Sequence, residues 1–148
     1  MKFVSSFLFL ILSCAMLGSC ATDAYYIENS TLPVIETRKV IGGVIGKPRV
    51  LSLNGRELSS AYHDKKFEPL DETKKIKSRY YTKVVILGPR RPYEITVQVI
   101  REVLQTETME FVDVGIDDTL SQKKAIEIKR ALNKSLETYQ AVDGDEVF

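Results

Sequence analysis

The sequence predicts an α+β domain, a small antiparallel sheet of three or four strands with two helices packed on one face. Three observations carry this. Tyr93, Ile95, Val97 and Val99 alternate with Glu94, Thr96 and Gln98, the period of a strand with one wet face. A β-branched and aromatic run, Arg79–Leu87, precedes it across Gly88-Pro89-Arg90-Arg91-Pro92, a connection of hairpin length. Near the end of the chain, Ala125, Ile128, Leu132, Ser135, Leu136 and Tyr139 recur at the helical period.

Each element follows in order. Tyr25–Glu28 reads as a short first strand. Asn29-Ser30-Thr31 reads as a helix cap, with Pro33 tolerated in the first turn. The helix over 31–45 has Val34, Ile41, Val44 and Ile45 on one face, and Gly46 with Pro48 stops it. Gly42 and Gly43 weaken it by about 1 kcal/mol each relative to alanine. Pro48–Tyr62 is extended and admits two readings. Asn54-Gly55 could turn a hairpin, or the stretch could be one strand with a bulge at Gly55. The single strand is preferred, because Arg56–Tyr62 has few apolar residues to hold a separate pairing. His63–Lys75 reads as a polar loop. Strands at 79–87 and 93–103 form the hairpin, and Met109–Val114 supplies a final edge strand. The last helix covers 119–139, with Thr119 and Gln122 at capping-box spacing. Lys123, Lys124, Glu127, Lys129 and Glu137 take its wet face.

The first twenty residues, MKFVSSFLFLILSCAMLGSC, have a different character. One lysine, a short apolar run and small residues follow one another in the order of a secretory signal. The run is too short for a spanning helix, which needs about 20 apolar residues. Leu17-Gly18-Ser19-Cys20 resembles the lipobox of bacterial lipoproteins at all four positions. The resemblance implies recognition of Leu17, Gly18 and Ser19 by a signal peptidase and acylation of Cys20. It also implies a lipid bilayer as the partner of that cysteine, and Ala21 after it points to the outer membrane. The expected organisation is a signal peptide at 1–19, an acylated tether at 20–24, one domain at 25–140 and an acidic tail at 141–148. Cleavage removes Cys14, so the mature chain has one cysteine and no internal disulfide.

Without Lys2 the chain has 20 Lys and Arg against 20 Asp and Glu. That balance argues against nucleic acid, whose binding needs a net basic face. His63 is the only histidine, and metal sites need three or four convergent ligands. No metal or cofactor is therefore expected, and His63 reads as a solvated loop residue. Gly42-Gly43-Val44-Ile45-Gly46-Lys47 fails the phosphate-loop spacing, with Pro48 where Ser or Thr should stand. The acidic pairs, such as Asp117-Asp118, lie beside no identifiable apolar pocket.

The turn at 88–93 is the strongest candidate contact. Two prolines stiffen it, and Arg90 and Arg91, with Tyr93 beside them, suit a carboxylate or phosphate. Lys74, Lys75, Lys77 and Arg79 could extend the same patch.

The element order over Tyr25–Tyr139 is similar in topology to the BamC-like helix-grip lipoproteins of the outer-membrane protein assembly machine. Asn54-Gly55-Arg56-Glu57 and Leu87–Tyr93 also resemble lipoprotein family motifs. The resemblance implies a non-enzymatic accessory protein, lipid-anchored in the cell envelope and facing the periplasm, that binds another envelope protein. The alternative expectation is a carrier or sensor of an apolar small molecule or lipid, held between helix 119–139 and the sheet.

Overall fold

The structure, a computed structural model, describes residues 24–70 and 75–144. The elements are β1 (Tyr25–Ser30), α1 (Val34–Ile45), β2 (Val50–Leu51), β3 (Glu57–Ser59), β4 (Ser78–Leu87), β5 (Tyr93–Leu104), β6 (Phe111–Ile116) and α2 (Asp118–Gly144). The sheet is antiparallel throughout, in the order β1-β5-β4-β3-β2, with β6 also on β5. The α+β class holds, but the sheet has six strands rather than three or four. Two causes combine, the folding of Pro48–Tyr62 into the β2–β3 pair and the length of β5. Its twelve residues span about 40 Å at ~3.4 Å per residue. Six-residue β1 covers one half of its free edge and six-residue β6 the other.

Between those two partners the backbone of Val99 has no strand to bond. The start of α2 fills the gap. Ser121 Oγ accepts the Val99 N–H at 2.8 Å, and the Asp117 N–H donates to the Val99 carbonyl at 2.8 Å. Ser121 Oγ itself donates to the Asp117 carbonyl at 2.7 Å. This fixes where the helix starts. Asp117, not Thr119, is its cap, with Oδ1 accepting the Leu120 N–H at 3.0 Å. The helix runs on to Gly144, into the stretch read as an acidic tail.

The first helix also starts later than expected. Ser30 is the last residue of β1, Pro33 occupies the N-cap position, and no side chain caps the end. Thr37 satisfies itself by donating to the Leu32 carbonyl at 3.3 Å. The end matches expectation, with Gly46 at φ 79 following Ile45.

Pro48–Tyr62 is a hairpin, which overturns the preferred single strand. Val50 pairs with Ser59 and Leu51 with Leu58. Side chains close the turn. Asn54 Oδ1 accepts from Ser52 Oγ at 2.7 Å and from the Arg56 N–H at 3.0 Å, and Ser52 Oγ accepts the Glu57 N–H at 2.9 Å. Gly55 is buried at φ 67, and the Arg38 guanidinium occupies the place of its missing Cβ. One core residue, Leu58, and this polar network substitute for the apolar content whose absence argued for a single strand.

Both helices cover one sheet face. Ile27, Leu58, Val84, Ile86, Tyr93, Ile95 and Val97 pack against Ile41 of α1 and Ala125, Ile128 and Leu132 of α2. The alternation in β5 buries Tyr93, Ile95, Val97 and Val99 as read from the sequence. Lys124 departs from it. It was assigned to the wet face of α2, yet only 5% of it is exposed. Its ammonium group lies over the Phe67 ring from the loop, 4.0 Å from the centroid, and pairs with Glu127 at 2.6 Å.

Candidate functional site

Three places carry chemistry, and the lipobox residues Leu17, Gly18, Ser19 and Cys20 lie outside the described residues. The first place is the β4–β5 turn. Arg90 and Arg91 are exposed there, and Arg91 Nη1 donates to the Thr31 carbonyl at 3.4 Å. The Arg91–Pro92 peptide bond is cis. Tyr93 is not available to a partner. It is 8% exposed and belongs to the core, because position 93 starts the inward register of β5. Arg56, from the β2–β3 turn, covers its ring at 5.3 Å and donates to the Gly88 carbonyl. The two turns therefore form one tip. Arg79 does not extend it, since it sits at the other end of β4, paired with Glu102 of β5. Lys74 lies outside the described residues.

The second place is a cleft of about 80 Å³ lined by Val44, Ile45, Ser60, His63, Phe67, Thr82 and Lys124, among others. His63 is 6% exposed, not solvated as the polar loop suggested. Its backbone bonds Tyr80 in both directions, at 2.9 and 3.0 Å, which draws the loop onto β4. Asp64 Oδ1 then accepts the Lys66 and Glu68 N–H groups at 2.7 and 2.9 Å, so the charged residues turn outward and Phe67 turns under. A lone phenylalanine inside HDKKFEPLDETKK was the available signal. His63 Nδ1 lies 2.8 Å from the Asp64 carbonyl and can only donate to it. Nε2 is thereby the acceptor for the Thr82 hydroxyl at 3.2 Å. Burial pushes the imidazole pKa below its ordinary value, the Asp64 carbonyl opposes this, and the Lys124 charge adds to the lowering. Ser60 Oγ donates to the Ala61 carbonyl and accepts the Thr82 N–H, so it is not bonded to His63. These bonds tie the His63 and Ser60 side chains to the loop's own carbonyls and, through Thr82, to β4. The space would take a few waters or a small ion, against roughly 300–1,000 Å³ for ordinary small-molecule sites.

The third place went unread in the sequence. It is the sheet face away from the helices. Arg49 lies over the rings of Tyr62 at 4.4 Å and Tyr81 at 5.5 Å. Arg79 lies over Tyr62 at 3.6 Å and Phe111 at 3.9 Å. Glu102 accepts from Arg79, and Tyr62 meets Tyr81 edge to face at 6.1 Å. Such stacks stabilise by about 0.5–1 kcal/mol each when exposed. Burial, then the carboxylates of Asp113 and Glu102, raise the Tyr81 phenol pKa. Arg79 is neutralised by Glu102, whereas Arg49 makes no ion pair among the described residues. The members come from the β2 entry, the loop before β4, β4, β5 and β6, so no local spacing announces them.

No family model, curated protein or solved structure matches the chain. Among the described residues, no helix is long and apolar enough to cross a membrane.

Proposed function

We propose that this chain is a bacterial lipoprotein of the cell envelope, acylated at Cys20 and placed at the outer membrane facing the periplasm. Its domain is a non-enzymatic accessory module that binds another envelope protein. The helix-grip resemblance offers outer-membrane protein assembly as the setting. One observation supports the binding role above the others. The helix-free sheet face gathers two arginines and three aromatic rings, the residue types that dominate protein interfaces. Arg49, stacked and without a carboxylate among the described residues, fits a partner that presents one. The carrier reading is less well supported, because the cleft beside His63 holds only about 80 Å³, and the hollow of about 430 Å³ at Ile126, Lys129 and Asn133 is lined by α2 alone rather than by helix and sheet.

A photo-crosslinking residue at Gln98, on that face, tests the reading in the native envelope, with Ile126 on α2 as the control. The expected result is a discrete adduct from position 98, lost on Arg49→Glu and not formed from position 126. Adducts from both positions, or an adduct indifferent to Arg49→Glu, would remove the open face as the contact. Membrane association that survives Cys20→Ser with the leader removed would remove the anchor.

A further inference from the structure

We infer that the tip formed by the β2–β3 and β4–β5 turns rests on an anionic phospholipid surface. This deepens the anchor reading above and rests on it, because the anchor supplies the lipid surface. Leu53, at the apex of the β2–β3 turn, is completely exposed, and Leu87, at the tip end of β4, is partly so. Solvent exposure of a leucine at a turn apex has no folding rationale, because Ser52, Asn54 and Gly55 already close that turn. Four guanidinium groups belong to the same tip. Arg38 lies against Gly55, Arg56 bonds the Gly88 carbonyl, Arg90 is exposed on the neighbouring turn, and Arg91 there donates to the Thr31 carbonyl. The nearby carboxylates do not cancel them. Glu57 is paired with Lys83 at 2.9 Å and Glu36 lies 3.8 Å from Lys39. Glu94 pairs opposite Leu87 at the tip, one carboxylate against four guanidinium groups, and Glu28 lines a hollow with Lys129 and Leu132 of α2. An apolar apex on an arginine-rich tip is complementary to lipid phosphate over acyl chains.

The other end of the sheet has the opposite charge character. The exposed Met109 lies beyond Leu104, with Glu107 and Glu110 near it in the chain.

The chain has no tryptophan, so Leu53→Trp and Met109→Trp each introduce a single reporter at an exposed site. The full chain with either substitution is reconstituted with phosphatidylglycerol-rich or pure phosphatidylcholine vesicles. The expected result is a blue shift of emission for Leu53→Trp with phosphatidylglycerol, reversed by 0.5 M salt on the order of the screening length shrinking severalfold. Met109→Trp should not respond. Each arginine near an anionic surface contributes roughly a fivefold factor, so Arg90→Gln with Arg91→Gln should lower the ratio of docked to free tip roughly 30-fold. Inorganic phosphate alone should leave the emission unchanged. Equal shifts at both positions, or no shift at Leu53→Trp with lipid alone, would overturn the proposal; in the second case the tip belongs to a protein or to solvent. The same pair with Cys20→Ser separates the two readings. Loss of anchoring there alters how much protein binds, while the contrast between positions 53 and 109 still reports which end touches lipid.

Discussion

Ser121→Ala probes the junction that places α2 on the sheet. Ser121 and Val99 are both fully buried, and one hydroxyl serves two partners, accepting from the Val99 N–H and donating to the Asp117 carbonyl. Removing it leaves a buried N–H without an acceptor, at a cost of about 1–3 kcal/mol. Alanine returns roughly 0.5 kcal/mol of helix propensity. The net loss is about 1.5 kcal/mol, which for a domain of this size lowers Tm by about 5 °C. Urea unfolding followed by circular dichroism is the assay, and the midpoint should fall with an unchanged slope. Ser135→Ala, half-buried further along the same helix, is the control and should change stability by no more than about 0.5 kcal/mol. If Ser121→Ala unfolds within that same margin of the parent, the hydroxyl does not bridge the gap between β1 and β6, and another contact must hold the helix in place.

Further outcomes follow from the same geometry. Because burial lowers the His63 pKa below 6.5, the unfolded chain binds the proton more readily; the stability of the neutral ring is complete above pH 6.5 and is lost as pH falls through the folded-state value. His63→Gln should flatten that limb of a stability–pH curve, and an unchanged slope would contradict it; Asp64, held below 3.8 chiefly by the Glu68 N–H, acts only at lower pH. Lys124→Met should raise the His63 pKa without restoring 6.5, because burial is the larger cause, as read from the single imidazole signal by NMR. Tyr93→Ala should cost about 3–5 kcal/mol as a core truncation, while Arg90→Gln with Arg91→Gln should leave unfolding within about 0.5 kcal/mol of the parent. Gly55→Ala should destabilise by about 1–2 kcal/mol from its positive φ, with displacement of Arg38 adding to this.

Strong periodicity made much of the fold legible. The β4–β5 hairpin, the inward set of β5 and the stripe of α2 are repeated local signals, each reinforced over three or more positions. The errors share another cause. Short β2 and β3 have two and three residues, too few to show a period, and their pairing is stabilised by one turn and by β4. The helix starts were misplaced because Asp117 caps α2 in competition with Thr119, and the gap opposite Val99 decides between them. His63 and Lys124 were read as solvated because each is polar, whereas each is covered by Phe67, which is distant from Lys124 in the chain.

The amino-acid order alone determined the α+β class, the central hairpin, the buried side of each long element and the expectation of a lipid anchor at Cys20. These rest on period, turn chemistry and short motifs, which act between neighbours along the chain. Only the tertiary structure decided that two strands share β5, that Tyr93 is core, that the Leu53 and Arg90 turns form one tip, and that Arg49, Tyr62, Tyr81, Arg79 and Phe111 meet on one face. Those depend on strand register and on loops folding over distant residues, and side chains dozens of positions apart become neighbours only when the sheet closes.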